Sequence, residues 1–524
     1  MGLLGPLLLV AAAIATYMTA ARDEDFWWAD GASFALNGEF VRDYLASGLG
    51  RNPMAFAQEW FRHYPALTIS LYPPIFPLVE AAVFAIFGFS HATALATVTM
   101  FAALASFGIY RTVRTAAGVL PATAAGIMLL ATPEVLRWSR EIVMDVPAMA
   151  LLLLAAAALL HYQAAKTTKT LLVAVLLTLA AVYTKQTAIF VVPAFAVSLL
   201  ANDGWSLARR KSTWLAVTGF VIGLLPLAVF TLLYATENFH IAFGAGTGQK
   251  GYDRLSVQAL LAYGRALPEI VGIIPLVGAG AYLALLGVKG WHDNAERRLT
   301  VLMVSWFVIA YLMISVTADF ETRYAVPLTV PPVVLSVLLL TRMLSAGLAG
   351  SVALVASVGM FAALISSQPV TRVEGYGDVA QYVLDQSKQG DVVLFHGMAS
   401  KNFTFSLRTR SPIPKISVLR AEKFLVDYSI MRDWGITDRN LSAAEVEAIV
   451  DRYDIAYVVF QPNFWTDQPS VAALQRLIDS DRFRLVAQFG ITSDDLSRRT
   501  SLRVYRNVRR TPVSDPAQQS MRGE

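Results

Sequence analysis

The sequence has no cysteine in 524 residues. Disulfides, thiolate nucleophiles and cysteine metal sites are therefore excluded. An oxidising compartment is compatible with that absence but not required by it. Charge is also scarce, at 15% of residues against 56% hydrophobic. The net charge of +5 is scattered over loop edges, with none of the basic stripes that mark a nucleic-acid partner. No glycine-rich nucleotide fingerprint is present; Gly397 after an apolar strand is a lone glycine. No internal repeat is visible, which argues against the inverted-repeat transporters.

What the chain does have is repeated apolar runs of about 15–21 residues, the mark of a polytopic helical membrane protein. The first, Met1 to Ala20, lacks a basic n-region and reads as an uncleaved first span. A long loop follows, ending in Leu71-Tyr72-Pro73-Pro74. Within it Gly31–Phe40 and Pro53–Phe61 read as short amphipathic surface helices. Trp27-Trp28 reads as an interface belt. The Pro-Pro pair opens a helix, since proline is tolerated in a first turn.

Arg111 and Arg114 belong in the cytoplasm by the positive-inside rule. With the acidic first loop outside, residues 74–110 must cross an odd number of times. Pro74–Phe89 is therefore read as a short helix embedded on the outer side, interrupted by Glu80, which is costly at bilayer depth. Further spans are expected at 91–110, 118–133, 147–163, 170–184, 187–201, 214–234, 268–288, 299–317, 324–341 and 347–366. Basic turns at Lys166–Lys169, Arg209–Lys211, Lys289–Arg298 and Arg342 suit the cytoplasmic side. The count is about eleven spans, with the N-terminus inside and everything after Ser366 outside.

Residues 367–510 change character. Gly377–Gln389, Ser442–Tyr453 and Val471–Ser480 read as helices, the second opened by a Ser442/Glu445 capping box. Asp391–Phe395, Ile455–Phe460, Phe483–Phe489 and Ser501–Arg506 read as strands, so a small extracytoplasmic α/β domain is expected. Residues 511–524, with Pro, Ser, Gln and Gly, read as a disordered tail. The expected domains are thus 1–366, multi-span with a long outer loop at 22–90, and 367–510.

The stretch that needs explaining is Arg22-Asp23-Glu24-Asp25-Phe26-Trp27-Trp28. Three carboxylates stand at a membrane boundary. On the same expected side lie Tyr72-Pro73-Pro74, a second loop from Arg137 to Asp145 and the segment Asp319–Tyr324. Acids beside bases in a bilayer-edge cavity suit a polyprenyl-phosphate-linked substrate. A carboxylate can take the proton of an attacking hydroxyl, and arginine or lysine can neutralise a phosphate leaving group. Asp145 before Val146-Pro147 equally suits a helix N-cap. Lys185 and Arg323 equally suit snorkelling anchors.

In order along 1–335, the pieces that carry a resemblance are the acids after the first run and an Ala/Gly pattern ending at Asn37-Gly38. Then come Tyr72-Pro73-Pro74 with Phe87-Gly88, and Pro133 leading to Asp145-Val146-Pro147. Last are Thr184-Lys185-Gln186 and Arg323-Tyr324 with Pro327 and Pro331-Pro332. With these the chain resembles the GT-C superfamily of lipid-phosphate-sugar glycosyltransferases, specifically the dolichyl-phosphate-mannose-protein mannosyltransferase and aminoarabinose-transferase-like family. The resemblance does not cover the C-terminal domain.

The resemblance implies transfer of a hexosyl or pentosyl group from a polyprenyl-phosphate donor to an acceptor hydroxyl on a glycan, lipid or protein. The place implied is the extracytoplasmic face of a bacterial inner membrane, among membrane lipids and without nucleic acid. It implies that the catalytic carboxylate lies in the acidic stretch. Asp23-Glu24 matches by identity and Glu24-Asp25 by spacing to Gly38, and both stay open. It implies that Asp145 is a second acid and that Lys185 and Arg323 face the lipid phosphate. Tyr72, Arg137, Arg140 and Tyr324 complete the expected substrate side. Leu71-Tyr72 stands where some relatives have Glu-Lys before proline, removing a metal ligand and a phosphate-binding lysine. No cofactor is therefore expected, with a divalent metal left open. The competing readings are a lipid-linked-sugar transporter or flippase, and a sensor or assembly protein with an external domain.

Overall fold

The structure, a computed structural model, describes residues 3–48, 50–69, 71–234, 236, 253–317, 319–428 and 435–510. The expected tail at 511–524 lies outside the described residues. The chain folds into two compact units. One comprises Met1–Ala20, Ile69–Glu80 and Thr93–Val370; the other comprises Ala21–Thr68, Ala81–Ala92 and Thr371–Glu524.

The first unit is helical. Seven described helical stretches are long and apolar enough to cross a membrane, and up to eight if a bent pair counts as one. Those seven, the bent pair and the short helices Leu4–Met18, Val119–Leu130 and Thr168–Val182 stand in order at the eleven expected positions. Val119–Leu130 has 12 residues, about 18 Å of helix against a hydrocarbon core of about 30 Å. The expected short helix after Pro73-Pro74 is Ile75–Phe87. The span expected at 268–288 is interrupted. Val257–Val271 and Ile273–Lys289 meet at 112° across Gly272, whose φ of +88° only glycine adopts without strain.

Packing in this unit follows membrane rules. Lys211–Tyr234 leaves Val221, Ile222, Leu225 and Leu232 exposed, as suits a helix facing lipid. Pro226 breaks its hydrogen-bond ladder. The Tyr183 hydroxyl repairs the break, donating to the Gly223 carbonyl at 2.9 Å and accepting from Leu227 N–H at 3.2 Å. Freed backbone groups in lipid need such a partner. Gly278 lets its helix close on Val330–Met343: a Cβ there would lie 2.6 Å from Ser336 Cβ. Small residues permit such close approaches.

The second unit contains the expected sheet. Its strands are β1 Val373–Glu374, β2 Asp391–His396, β3 Ile416–Arg420, β4 Val426–Tyr428, β5 Ile436–Asp438, β6 Ile455–Phe460, β7 Phe483–Ser493 and β8 Thr500–Asn507. Six form one sheet in the order β1-β7-β8-β6-β2-β3, while β4 and β5 make a separate pair. β3, β2 and β6 run parallel and the rest antiparallel. Ser400–Arg410 crosses between β2 and β3, a connection that parallel strands require. Every residue of β6 is buried, as in a strand covered on both faces. The Ser442/Glu445 capping box is present, opening Ala443–Arg452.

One expectation changes here. The helix read at Gly31–Phe40 runs Ala29–Ser47 and does not lie on a surface. Residues 31–41 are all buried, because this helix packs on Ser400–Arg410. Trp27, expected at an interface, packs against the core that holds Val373 and Tyr376, and its indole N–H reaches Asp495 Oδ2 at 3.4 Å. By contrast, Pro53–His63 is the expected amphipathic helix, with Asn52 Oδ1 accepting from the N–H groups of Met54 and Ala55.

Candidate functional sites

In the first unit, the chain brings three separated pieces of the sequence together. Thr168–Val182 ends at Tyr183, whose carbonyl accepts the N–H of Ile75 at 3.1 Å. The helix start after Tyr72-Pro73-Pro74 is thereby pinned beside Lys185. Lys185 is extended, with φ −148°, and its ammonium forms an ion pair with Asp145. Both side chains are largely buried. The Lys185 Nζ also lies 4.9 Å from the centre of the Tyr324 ring. On the same tyrosine the Arg323 guanidinium carbon sits at 5.3 Å, and the Tyr324 hydroxyl donates to Asp319 Oδ2 at 3.2 Å. Tyr72 stands within electrostatic range of Tyr324.

Asp145 is the first residue of Asp145–Ala165, whose N-cap is Met144. Its carboxylate engages Lys185. A buried ion pair holds its shape only when both partners are present. Asp145, Lys185 and Tyr324 line a small cavity of about 20 Å³ together with apolar residues such as Leu152 and Leu328. That is room for about one water.

The second loop is tied to this cluster. Glu134 Oε1 accepts from Trp138 Nε1 at 2.6 Å and from the Thr322 hydroxyl, next to Arg323. Arg137 stacks over Trp138 at 5.9 Å. Arg140 does something different. Its Nη1 and Nη2 donate to the carbonyls of Gln368 and Ile365, at 3.1 and 2.9 Å. Those carbonyls close the C-terminal end of Ala346–Ser367, where cations are favoured. In this unit Arg140 is thus a helix clamp.

Sequence reasoning passed over several acids. Glu141 is buried, which pushes its carboxyl up to about 8. Glu321 is also held above its ordinary range, mainly by burial, with Arg323 opposing. The sequence marks Asp319–Tyr324 as one segment without distinguishing its carboxylates, Asp319 and Glu321. With Asp145 the cluster has three carboxylates around Lys185 and Arg323. The only sequence signal was their spacing from Arg323.

In the second unit, the three acids of the first loop differ from one another. Asp23 is exposed. Glu24 pairs with Arg372 at 3.1 Å and accepts from Asp23 N–H at 3.2 Å. Asp25 forms a bridge to Val373, its N–H donating to that carbonyl at 2.8 Å. Its carboxylate accepts from Tyr376 N–H at 2.9 Å and from the Ser406 hydroxyl at 3.4 Å. Burial raises the Asp25 carboxyl to about 6, against the opposing pull of Tyr376 N–H and Arg410. Asp30, which was not singled out, lies in the first turn of Ala29–Ser47 and pairs with Lys401 at 2.6 Å. Among the described residues no three His, Asp or Glu side chains group as metal ligands.

Comparison with known proteins agrees with the resemblance in the sequence. The family described as dolichyl-phosphate-mannose-protein mannosyltransferase matches residues 72–230, the segment that contains Tyr72, Asp145 and Lys185. Among solved structures, the fold is similar to ArnT from Cupriavidus metallidurans bound to undecaprenyl phosphate. Identity there is 14%, covering 95% of this chain and 97% of that one, with a TM-score of 0.61. The apo state of the same protein gives a TM-score of 0.63 at 14% identity and the same coverage. The Archaeoglobus fulgidus oligosaccharyltransferase in complex with Zn and sulfate gives 0.54 at 11% identity, over 86% of this chain and 67% of that one. No curated protein matches the sequence. The fold is thus similar to that of ArnT, with a C-terminal sheet-containing domain.

Proposed function

We propose that this chain is a membrane glycosyltransferase that moves a hexosyl or pentosyl group from a polyprenyl-phosphate donor to an acceptor hydroxyl, with inversion at the anomeric carbon. The observation that carries the reading is the Asp145–Lys185 pair under Tyr324, with Arg323 on the same ring. Two cations and a phenol beside an apolar cavity suit a lipid phosphate. ArnT, of similar fold, was crystallised with undecaprenyl phosphate, which supports a lipid-linked donor here. In this reading, donor phosphate binds to Arg323 and Lys185, and Asp145 holds Lys185 in place until the anion arrives. Tyr72 and Arg137 act from the neighbouring segments.

The acceptor hydroxyl loses its proton to a carboxylate of the first loop as its oxygen attacks the anomeric carbon. The bond to the phosphate oxygen breaks on the opposite face. One base suffices and no glycosyl-enzyme forms. Asp25, with a carboxyl raised to about 6, has the proton affinity such a base needs near neutral pH. Glu24 and Asp23 remain rivals, and Asp30 joins them as an acid at a helix N-terminus. The site and the C-terminal residues are assigned to the extracytoplasmic side of a bacterial inner membrane. The acceptor is a glycan, lipid or protein.

The test is mass spectrometry of the purified protein for a co-purifying polyprenyl phosphate, followed by transfer from a synthetic donor. Bound lipid phosphate and transfer with inversion are expected. A protein that instead moves the lipid-linked sugar between leaflets of a vesicle without cleaving it is a flippase, and this reading fails.

A further inference from the structure

The second unit has a cleft of about 630 Å³ that the proposed reaction leaves unused. That volume lies in the range of small-molecule sites. The cleft is lined by the end of Ala29–Ser47, by Pro53–His63, and by Arg408, Pro412 and Pro414. Its floor is rigid. Arg408 is buried, and its Nη2 reaches both oxygens of Asp43 at 3.0 and 2.9 Å and Glu39 at 2.7 Å. Trp60 Nε1 donates to Asp43 Oδ2 at 3.1 Å. The Trp60 and Tyr64 rings lie 4.8 Å apart, and Arg408 sits over Tyr64 at 5.8 Å. At the rim, Arg51 stacks over Phe56 at 5.7 Å and Glu59 stands exposed.

The charges on this lining select the ligand. With His63 neutral, the formal charges of Asp43 and Glu59 balance those of Arg51 and Arg408 on the lining, and Glu59 also pairs with Arg62 at 3.1 Å. Arg408, a buried cation of the lining, is already held by Glu39 and Asp43. A phosphate or other anion would have to displace those carboxylates. An extended peptide recognised by strand addition needs backbone N–H groups along one edge, and Pro412 and Pro414 have none. A neutral, hydroxyl-rich ring meets none of these obstacles. Its hydroxyls donate to carboxylates and accept from guanidinium groups. Its carbon–hydrogen faces pack against Phe56, Trp60 and the two prolines.

We propose that this cleft binds a neutral saccharide, the glycan part of the acceptor, with Glu59 and Arg51 as hydrogen-bonding rim residues. The assignment of that saccharide to the acceptor rests on the glycosyl-transfer reading above.

The experiment is saturation-transfer NMR on the full-length protein in detergent. The probes are methyl glycosides of neutral hexoses and the corresponding disaccharides, and undecaprenyl phosphate binding is measured in parallel. Glu59→Gln and Arg51→Gln are compared with the parent; both side chains are exposed, and thermal unfolding checks that the fold is kept. Saccharide signals are expected in the parent, with affinity about tenfold weaker in either variant, as for loss of a hydrogen bond to a charged group. Undecaprenyl phosphate binding should not change. No saccharide binding in the parent, or binding that both variants retain in full, overturns the assignment. So does preferential binding of short peptides. If saccharides bind as expected and undecaprenyl phosphate does not bind the parent at all, the cleft assignment stands and the glycosyl-transfer reading fails.

Discussion

The two units use the same ionisable residue types to different ends. In the helical unit, Asp145 and Lys185 are withdrawn from water among apolar helices, and each is the other's main partner. In the sheet-containing unit, Arg408 joins Glu39 and Asp43, and Asp25 ties the first loop to Val373 and Tyr376. The first pair borders a cavity with room for about one water; the second network holds a helix, a loop and a sheet together, and its Asp43 and Arg408 also line the larger cleft. Buried charge therefore does not by itself mark a reacting group.

The largest expected effect comes from removing the acids of the second unit one at a time. Asp23→Asn, Glu24→Gln, Asp25→Asn and Asp30→Asn should divide into one variant that loses about 10²–10⁴ in transfer rate and three that lose far less. Donor binding should survive in all four. Near-normal turnover in all four would mean that these carboxylates only fold the second unit.

Next in size are the two buried ion clusters. Removing one partner of a buried pair costs about 3–5 kcal/mol, because the other charge is left stranded. Lys185→Met and Arg408→Met should each lower the thermal unfolding midpoint markedly. For the first cluster the double variant Asp145→Leu/Lys185→Met should recover most of the loss. Additive losses in that double variant would show that Asp145 and Lys185 act through separate partners.

A smaller effect separates donor binding from folding. Arg323→Ala should weaken binding of undecaprenyl phosphate by about tenfold or more, corresponding to about 1.5–3 kcal/mol for a hydrogen bond to a charged group. Unfolding should change little. Unaltered lipid affinity assigns Arg323 to the packing of Tyr324.

The mildest test uses pH. Asp25 has a folded carboxyl near 6, raised from an ordinary 3.8. Between those values the folded chain holds the proton and the unfolded chain does not, so stability falls as pH rises through that window. The contribution is fully present below about 4 and gone above about 6. Asp25→Asn should flatten this part of the stability profile, followed by thermal unfolding from pH 4 to 7. A profile unchanged by the substitution would mean that Asp25 remains ionised throughout.

Legibility differed between the units for a physical reason. Apolar runs and basic turns are local signals, and helices stand at every span position read from them. The strands of the sheet were legible where alternation or continuous burial marked them, as in Ile455–Phe460. Ser400–Arg410 was missed because its mean composition is polar, although most of its residues are buried by contacts from elsewhere. The break at Gly272 was missed because a single glycine inside an apolar run carries little weight.

The polytopic class, the order of the helices and the α/β character of residues 367–510 are legible in the chain alone. Hydrophobic length and periodicity, which mark them, are properties of neighbouring residues. What each charge does comes from the fold. Asp145 opens a helix and pairs with Lys185, Arg140 clamps a helix end, and Trp27 packs against the core beside the sheet. Asp25, Glu24 and Asp23, adjacent in sequence, have three different environments. A carboxylate's role depends on which donors and which water reach it, and those come from residues up to hundreds of positions away.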